Sequence, residues 1–227
     1  MACGCAKNRY VSSKNVSKKE MSTLADTVKF EISDKFFRDP PNCAVVLAST
    51  GIKNIRMLDL CCGDSHVLEY INEFVEDYLG VDNNEKYLRQ CKQRWNKFNF
   101  MNLDLNDEVS TKYFLNFKPN FIFLNGAIHH LDDKTVKSIN LLIKNNFSKC
   151  YFLSVDPIKY NNNLLNKFMI ILDRGKFIRS KIEYEKLMGI FDTFIVDDFY
   201  KMNFANIFHY KNFDLKNFYH NWKKEIS

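Results

Sequence analysis

The alternation of apolar and polar positions changes character near residue 55 of this 227-residue chain. From there, short apolar runs alternate with amphipathic stretches. The runs are IRMLDL (55–60), DYLGVD (77–82), FNFMNL (98–103), NFIFLN (120–125) and CYFLSV (150–155), each with the length and side-chain types of a buried strand. Between them, Ser65 to Phe74, Asn84 to Trp95 and Asp132 to Phe147 carry apolar residues at helical spacing. In the last of these, Val136, Ile139 and Ile143 share one face. Such alternation predicts repeated βα units on a parallel sheet. After Asp156-Pro157 it breaks. Residues 158–173 read as a helix, and another begins at Ser180, which stands with Glu183 at the spacing of a capping box. FDTFIVDDFY (191–200) and NFANIFHYKN (203–212) then read as two adjacent strands joined by a tight turn. The expected fold class is α/β, a doubly wound, seven-stranded, mostly parallel sheet with one antiparallel strand.

Upstream, residues 1–20 mix Ser, Asn and Lys without a period and read as a mobile basic arm. A helix is expected around 21–37, ending before Pro40-Pro41. The length suits one domain over 21–227, with 157–190 as a helical insert. The composition, 46% hydrophobic and 15% aromatic, can fill its core. The net charge of +6 sits at the ends: residues 1–29 hold six Lys/Arg against two acids, and 201–227 hold five against two. Basic ends can meet phosphates or merely solubilise, so charge alone does not establish a nucleic-acid partner. No apolar run approaches the ~20 residues of a membrane span. The N-terminus lacks the apolar core of a signal peptide. The odd number of cysteines, seven, reads as reduced thiols of a cytoplasmic protein. Cys3 and Cys5 have no matching pair at zinc-like spacing.

In an open α/β sheet, ligands bind beyond the carboxyl ends of the strands. Three of those ends carry a carboxylate here, and a fourth carries Asn125-Gly126. The first run ends in LDLCCGDS, with Asp59 at the strand end and Gly63 in the turn that follows. Such a turn lets ligand atoms approach backbone N–H groups. About twenty residues further on stand Asp82 and Asn83, the spacing of an acid that accepts the ribose hydroxyls of an adenosine cofactor. A Rossmann dehydrogenase shares those features but does not require the Asp104 and His129-His130-Leu131 that follow here.

On these residues the chain resembles the class I S-adenosylmethionine-dependent methyltransferases. Their first motif is often written D-x-G-C-G-x-G and stands here as Asp59-Leu60-Cys61-Cys62-Gly63-Asp64-Ser65, with Cys61 and Ser65 in place of two glycines. The family's ribose acid matches Asp82, its adenine-facing acid matches Asp104 in MNLDL, and its HHL segment matches NGAIHHLDD (125–133). The resemblance spans about residues 50–156 and implies S-adenosylmethionine as cofactor. It implies a cofactor site of Asp59, Cys61, Gly63, Asp82, Asn83, Asp104, Leu105 and Asn125. Each position also has a structural reading: Asp59 can cap the turn, Asp82 and Asp104 can be loop acids, and the cysteines can be small buried side chains.

Methyl transfer needs in-line approach of the acceptor and, for a hydroxyl, removal of its proton. No metal is demanded. His130 and His129, after the fourth run, and Asp156, at the end of the fifth, are the candidate bases. Their structural alternatives are a histidine bonding a backbone carbonyl and an acid capping the turn at Pro157. ILDRGKFIRS (171–180) is similar to a segment of a bacterial methyltransferase subgroup associated with surface polysaccharides. Arg174 and Arg179 there could clamp a phosphate or carboxylate of the acceptor, or form a solvated basic turn. The leading expectation is O-methylation of a small polar or carbohydrate acceptor. RNA methylation and a non-catalytic binding domain are the alternatives.

Overall fold

The computed structural model describes residues 52–105, 110–159, 164–173, 175–199 and 204–217. The expected arm at 1–20, the helix at 21–37 and Arg174 lie outside the described residues.

In chain order the elements are β1 (Ile55–Leu60), α1 (Leu68–Ile71), β2 (Val75–Asp82), α2 (Glu85–Arg94), β3 (Asn99–Asn102), α3 (Ser110–Phe117) and β4 (Phe121–Asn125). A 3-10 turn (Ile128–His130) leads into α4 (Asp133–Asn146), β5 (Tyr151–Pro157), α5 (Leu164–Leu172), α6 (Lys181–Leu187), β6 (Asp192–Phe199) and β7 (Phe204–Lys211). The seven strands form one sheet in the order β3-β2-β1-β4-β5-β7-β6. Strands β1 to β5 pair in parallel, whereas β7 runs antiparallel to both β5 and β6. β7 is therefore the one reversed strand, as the sequence pattern implied.

The apolar runs are near-continuous because both faces of the sheet are covered. Met57, Tyr78, Phe123 and Leu153 pack on one face. Leu58, Leu60, Leu79, Val81, Ile122 and Phe152 pack on the other, with Val136, Ile139 and Ile143 of α4. Each such side chain contributes about 1.5–3 kcal/mol on burial.

Helix ends follow local chemistry. Asn84 caps α2 by accepting from the Lys86 N–H, and Asp132 caps α4 by accepting from the Thr135 N–H. The capping box at Ser180 and Glu183 is formed at the start of α6. Two helical expectations change, and one helix is added. The helix read over 65–74 shrinks to Leu68–Ile71, because Ser65 is left-handed (φ 53°) and cannot begin a helix. Of the helix read over 158–173 the described residues show Leu164–Leu172, while Ile158 is buried beside the sheet and Lys159 bridges to Ser180. α3 was not distinguished in the sequence. Among its described side chains only Phe114 is fully buried, so it shows no repeated apolar face.

Candidate active site

The chain reverses direction across the sheet between β1 and β4, so a crevice opens beyond their carboxyl ends. At the end of β1 the backbone is left-handed at three positions, Cys61 (φ 59°), Gly63 (φ 54°) and Ser65 (φ 53°). Only glycine takes that conformation freely; each of the other two costs about 1–2 kcal/mol. The turn keeps the geometry through its bonds. The Cys62 N–H donates to the Val81 carbonyl (3.0 Å), and the Ser65 N–H donates to the Cys62 carbonyl (2.8 Å). The Gly63 N–H donates to Asp82 Oδ2 (2.9 Å).

Beneath the turn, the Tyr78 hydroxyl lies between the Asp59 carboxyl and the Ser65 hydroxyl. Burial pushes the Asp59 carboxyl up to about 7, against the lowering effect of its bond to Tyr78. Asp59 thus supports the turn from the core side. Asp82 also accepts from the Asn84 N–H through Oδ1 (2.8 Å). Two backbone bonds leave further lone-pair positions on this half-buried carboxylate. Above Gly63 the space is open: a Cβ built there would meet nothing within 4 Å. Exposed Asn83, exposed Asp104 and half-buried Leu105 follow the ends of β2 and β3, and exposed Asn125 ends β4.

A second cluster joins the ends of β4 and β5. His129 is buried, with its side chain 5% exposed. Its Nδ1 lies 2.8 Å from Asp156 Oδ1, and its backbone N–H donates to the same oxygen (3.1 Å). Its Nε2 faces Asp173 Oδ1 at 3.4 Å. Burial alone would depress this imidazole, but the neighbouring Asp156 and Asp173 carboxylates outweigh it and raise the value to about 9. Asp156 is fully buried, and its carboxyl is pushed up by desolvation despite its histidine partner. Its Oδ2 has no hydrogen-bond partner. His130 is half-buried, with its ring centroid 4.1 Å from that of His129.

The sequence pointed to arginines in the 171–180 segment, but the structure draws in Asp173 and Gly175. Gly175 packs so closely on the His129 ring that a Cβ there would lie 2.1 Å from Cδ2. Its N–H donates to Asp173 Oδ1 (2.5 Å). Arg179 is buried with all five N–H donors engaged, two on Asp133 Oδ1 and the rest on the carbonyls of Ile128, Phe177 and Leu131. With its donors so engaged, Arg179 braces the turn that carries both histidines.

No family model and no curated protein matches the chain. Solved structures do match its fold. An S-adenosylmethionine-dependent methyltransferase from Archaeoglobus fulgidus is 19% identical with a TM-score of 0.52, over 80% of this chain and 98% of that one. The methyltransferase domain of bacterial CtHen1 is 16% identical with a TM-score of 0.53, over 75% and 97%. Magnesium protoporphyrin IX methyltransferase from Synechocystis PCC 6803, with bound SAH, is 13% identical with a TM-score of 0.50, over 89% and 90%.

The fold is that of the class I methyltransferases. Within this methyltransferase fold, the eight residues expected at the cofactor lie along the carboxyl edge of β3, β2, β1 and β4, while His129, His130 and Asp156 meet at the adjoining ends of β4 and β5. Tyr78, Asp133, Asp173 and Gly175 were not singled out in the sequence. Only the segment holding Asp173-Arg174-Gly175 offered a signal, through its resemblance to a methyltransferase subgroup and its basic charge. Among the described residues no helix is long and apolar enough to cross a membrane.

Proposed function

We propose that this chain binds S-adenosylmethionine and transfers its methyl group to an oxygen of a small polar acceptor. The observation that carries the reading is the pairing of Asp82 with the Gly63 N–H, under open space, beside three left-handed turn residues. Asp82 would accept the ribose hydroxyls through its remaining lone pairs. Asn83, Asp104 and Leu105 would border the adenine, and the Cys61–Gly63 backbone and Asn125 would border the methionine end. When bound, the sulfonium supplies a methyl carbon that an acceptor oxygen attacks in line, the C–S electron pair returning to sulfur.

His130 then meets the acceptor and takes its proton, because both ring nitrogens of His129 already face carboxylates. Asp156 orients His129. Residues 157–190, which carry α5 and α6, would form the acceptor side and exclude water. A sugar or nucleotide-linked precursor of a surface polysaccharide is the acceptor class that fits the resemblance of the 171–180 segment, with Arg174 as its remaining charge contact.

Calorimetry tests the cofactor site. Asp82→Ala should weaken S-adenosylmethionine binding by about 1–3 kcal/mol, since hydroxyls lose a charged acceptor. Unchanged affinity in the folded variant overturns the assignment. His130→Ala should lower turnover by ~10²–10⁴ with cofactor affinity kept; full turnover removes His130 from the mechanism.

A further inference from the structure

Between the ends of β4 and β5 and the start of the 173–180 segment, three side chains converge in the manner of a metal site. His129, His130 and Asp173 each offer one ligand atom, and these atoms all lie within 4.8 Å of one another. We propose that they bind a divalent first-row transition ion through two imidazole nitrogens and one carboxylate.

Three observations support this. First, His129 Nδ1 is bonded to the buried Asp156 carboxylate. A metal-bound histidine characteristically donates its other ring N–H to a carboxylate, which turns the Nε2 lone pair toward the ion. Second, Nε2 and Asp173 Oδ1 are 3.4 Å apart. A charge-assisted hydrogen bond closes to about 2.7–2.9 Å. Two ligands about 2.0–2.1 Å from one tetrahedral ion stand roughly 3.4 Å apart. Third, the groups are held in place. The Gly175 N–H bonds Asp173 Oδ1, the Gly175 backbone presses on the His129 ring, and the Phe177 N–H bonds the His129 carbonyl (2.9 Å). With both imidazoles neutral, as ligation requires, the two carboxylates also leave negative charge that a divalent ion neutralises, and Asp156 Oδ2 is buried without a hydrogen-bond partner. The donor set of two histidines and one carboxylate suits borderline ions of the Mn²⁺ to Zn²⁺ series better than Mg²⁺ or Ca²⁺, and it leaves coordination positions open.

The ion's role rests on the methyltransferase reading, although its binding does not. An acceptor hydroxyl would occupy an open position and lose its proton to solvent water. The oxygen keeps the electron pair that forms the new bond to the methyl carbon, and the C–S pair goes to sulfur. This assigns His130 to the ion in place of the proton-accepting role argued above, and the Co²⁺ titration of His130→Ala decides between the two.

The test uses chelator-treated full chain without S-adenosylmethionine, titrated with Co²⁺ and followed by visible absorption and calorimetry. One Co²⁺ per chain with a ligand-field band is expected. Asp173→Asn and His130→Ala should each weaken binding at least ~10-fold, the loss typical even of an outer partner. Both residues are half-buried at the surface, and circular dichroism verifies the fold of each variant. Asp82→Ala should bind Co²⁺ as the parent does. No band and no heat at millimolar Co²⁺ overturns the proposal, because His129 is then an imidazolium bridging two acids. Binding unchanged in both ligand variants also overturns it, since the ion then sits elsewhere. Failure of S-adenosylmethionine to bind, with Co²⁺ bound normally, would instead sink the methyltransferase reading alone.

Discussion

Cys61 and Ser65 hold left-handed backbone where a glycine would be at ease, and the two are not equivalent. Ser65 is buried and bonded to the Tyr78 hydroxyl and the Cys91 thiol (3.1 and 3.6 Å), so its side chain offsets part of its strain. Cys61 is half-buried, and burial pushes its thiol far up, away from a reactive thiolate. Cys61→Gly should therefore raise stability by about 0.5–1 kcal/mol in urea unfolding; a destabilised variant would show that the thiol packs for more than the strain costs. Asp59 supplies a pH signature. Folded Asp59 holds its proton up to about 7, whereas the ordinary carboxylate releases it near 3.8. Between those values the folded state binds more protons than the unfolded one. This residue's contribution to stability therefore falls as pH rises through the window, by up to about 1.4 kcal/mol per pH unit, and levels off above it. Asp59→Asn should remove that slope, measured as the difference between parent and variant unfolding curves across the window. Equal slopes would mean that Asp59 stays charged when folded.

At the scale of elements, Arg179 ties the approach to α6 to the 3-10 turn and to the first turn of α4. Arg179→Ala would leave the carbonyls of Ile128, Leu131 and Phe177 without this donor, and should cost about 2–4 kcal/mol. Arg179→Lys should not restore it, because an ammonium has three donors and no planar fork. Denaturant midpoints check both. A variant of parental stability with a raised acceptor KM would restore the clamp reading. Ser180→Ala, which breaks the capping box, should cost about 1 kcal/mol. Elements whose apolar face repeats, such as α4 and α2, were legible in the sequence, as was the capping box at Ser180 and Glu183. α3 was not, because one buried Phe114 sets no period. α1 was overdrawn, because the left-handed state of Ser65 is imposed by the turn and its buried bonds.

At the scale of the whole molecule, β1 and β4 are paired on both sides, whereas β3 and β6 stand at the edges. Hydrogen exchange should therefore be slowest in β1 and β4 and fastest in β3 and β6. Edge amides as protected as the centre would mean that something covers the edges. The sequence by itself determined the strand and helix alternation, the reversed terminal pair, and the acids standing at strand ends. These follow from side-chain period and turn chemistry, which act over a few neighbouring residues. Only the tertiary structure decided which groups meet. Tyr78 reaches Asp59 across 19 residues, His129 reaches Asp156 across 27, and Arg179 reaches Asp133 across 46. The first pairing depends on β2 lying beside β1, the second on β5 lying beside β4, and the third on the segment after β5 folding back over the turn that follows β4. A charged residue in a sequence shows what it can bond. The path of the chain sets the partner, and at Arg179 it chose backbone carbonyls and Asp133 where the sequence suggested a ligand.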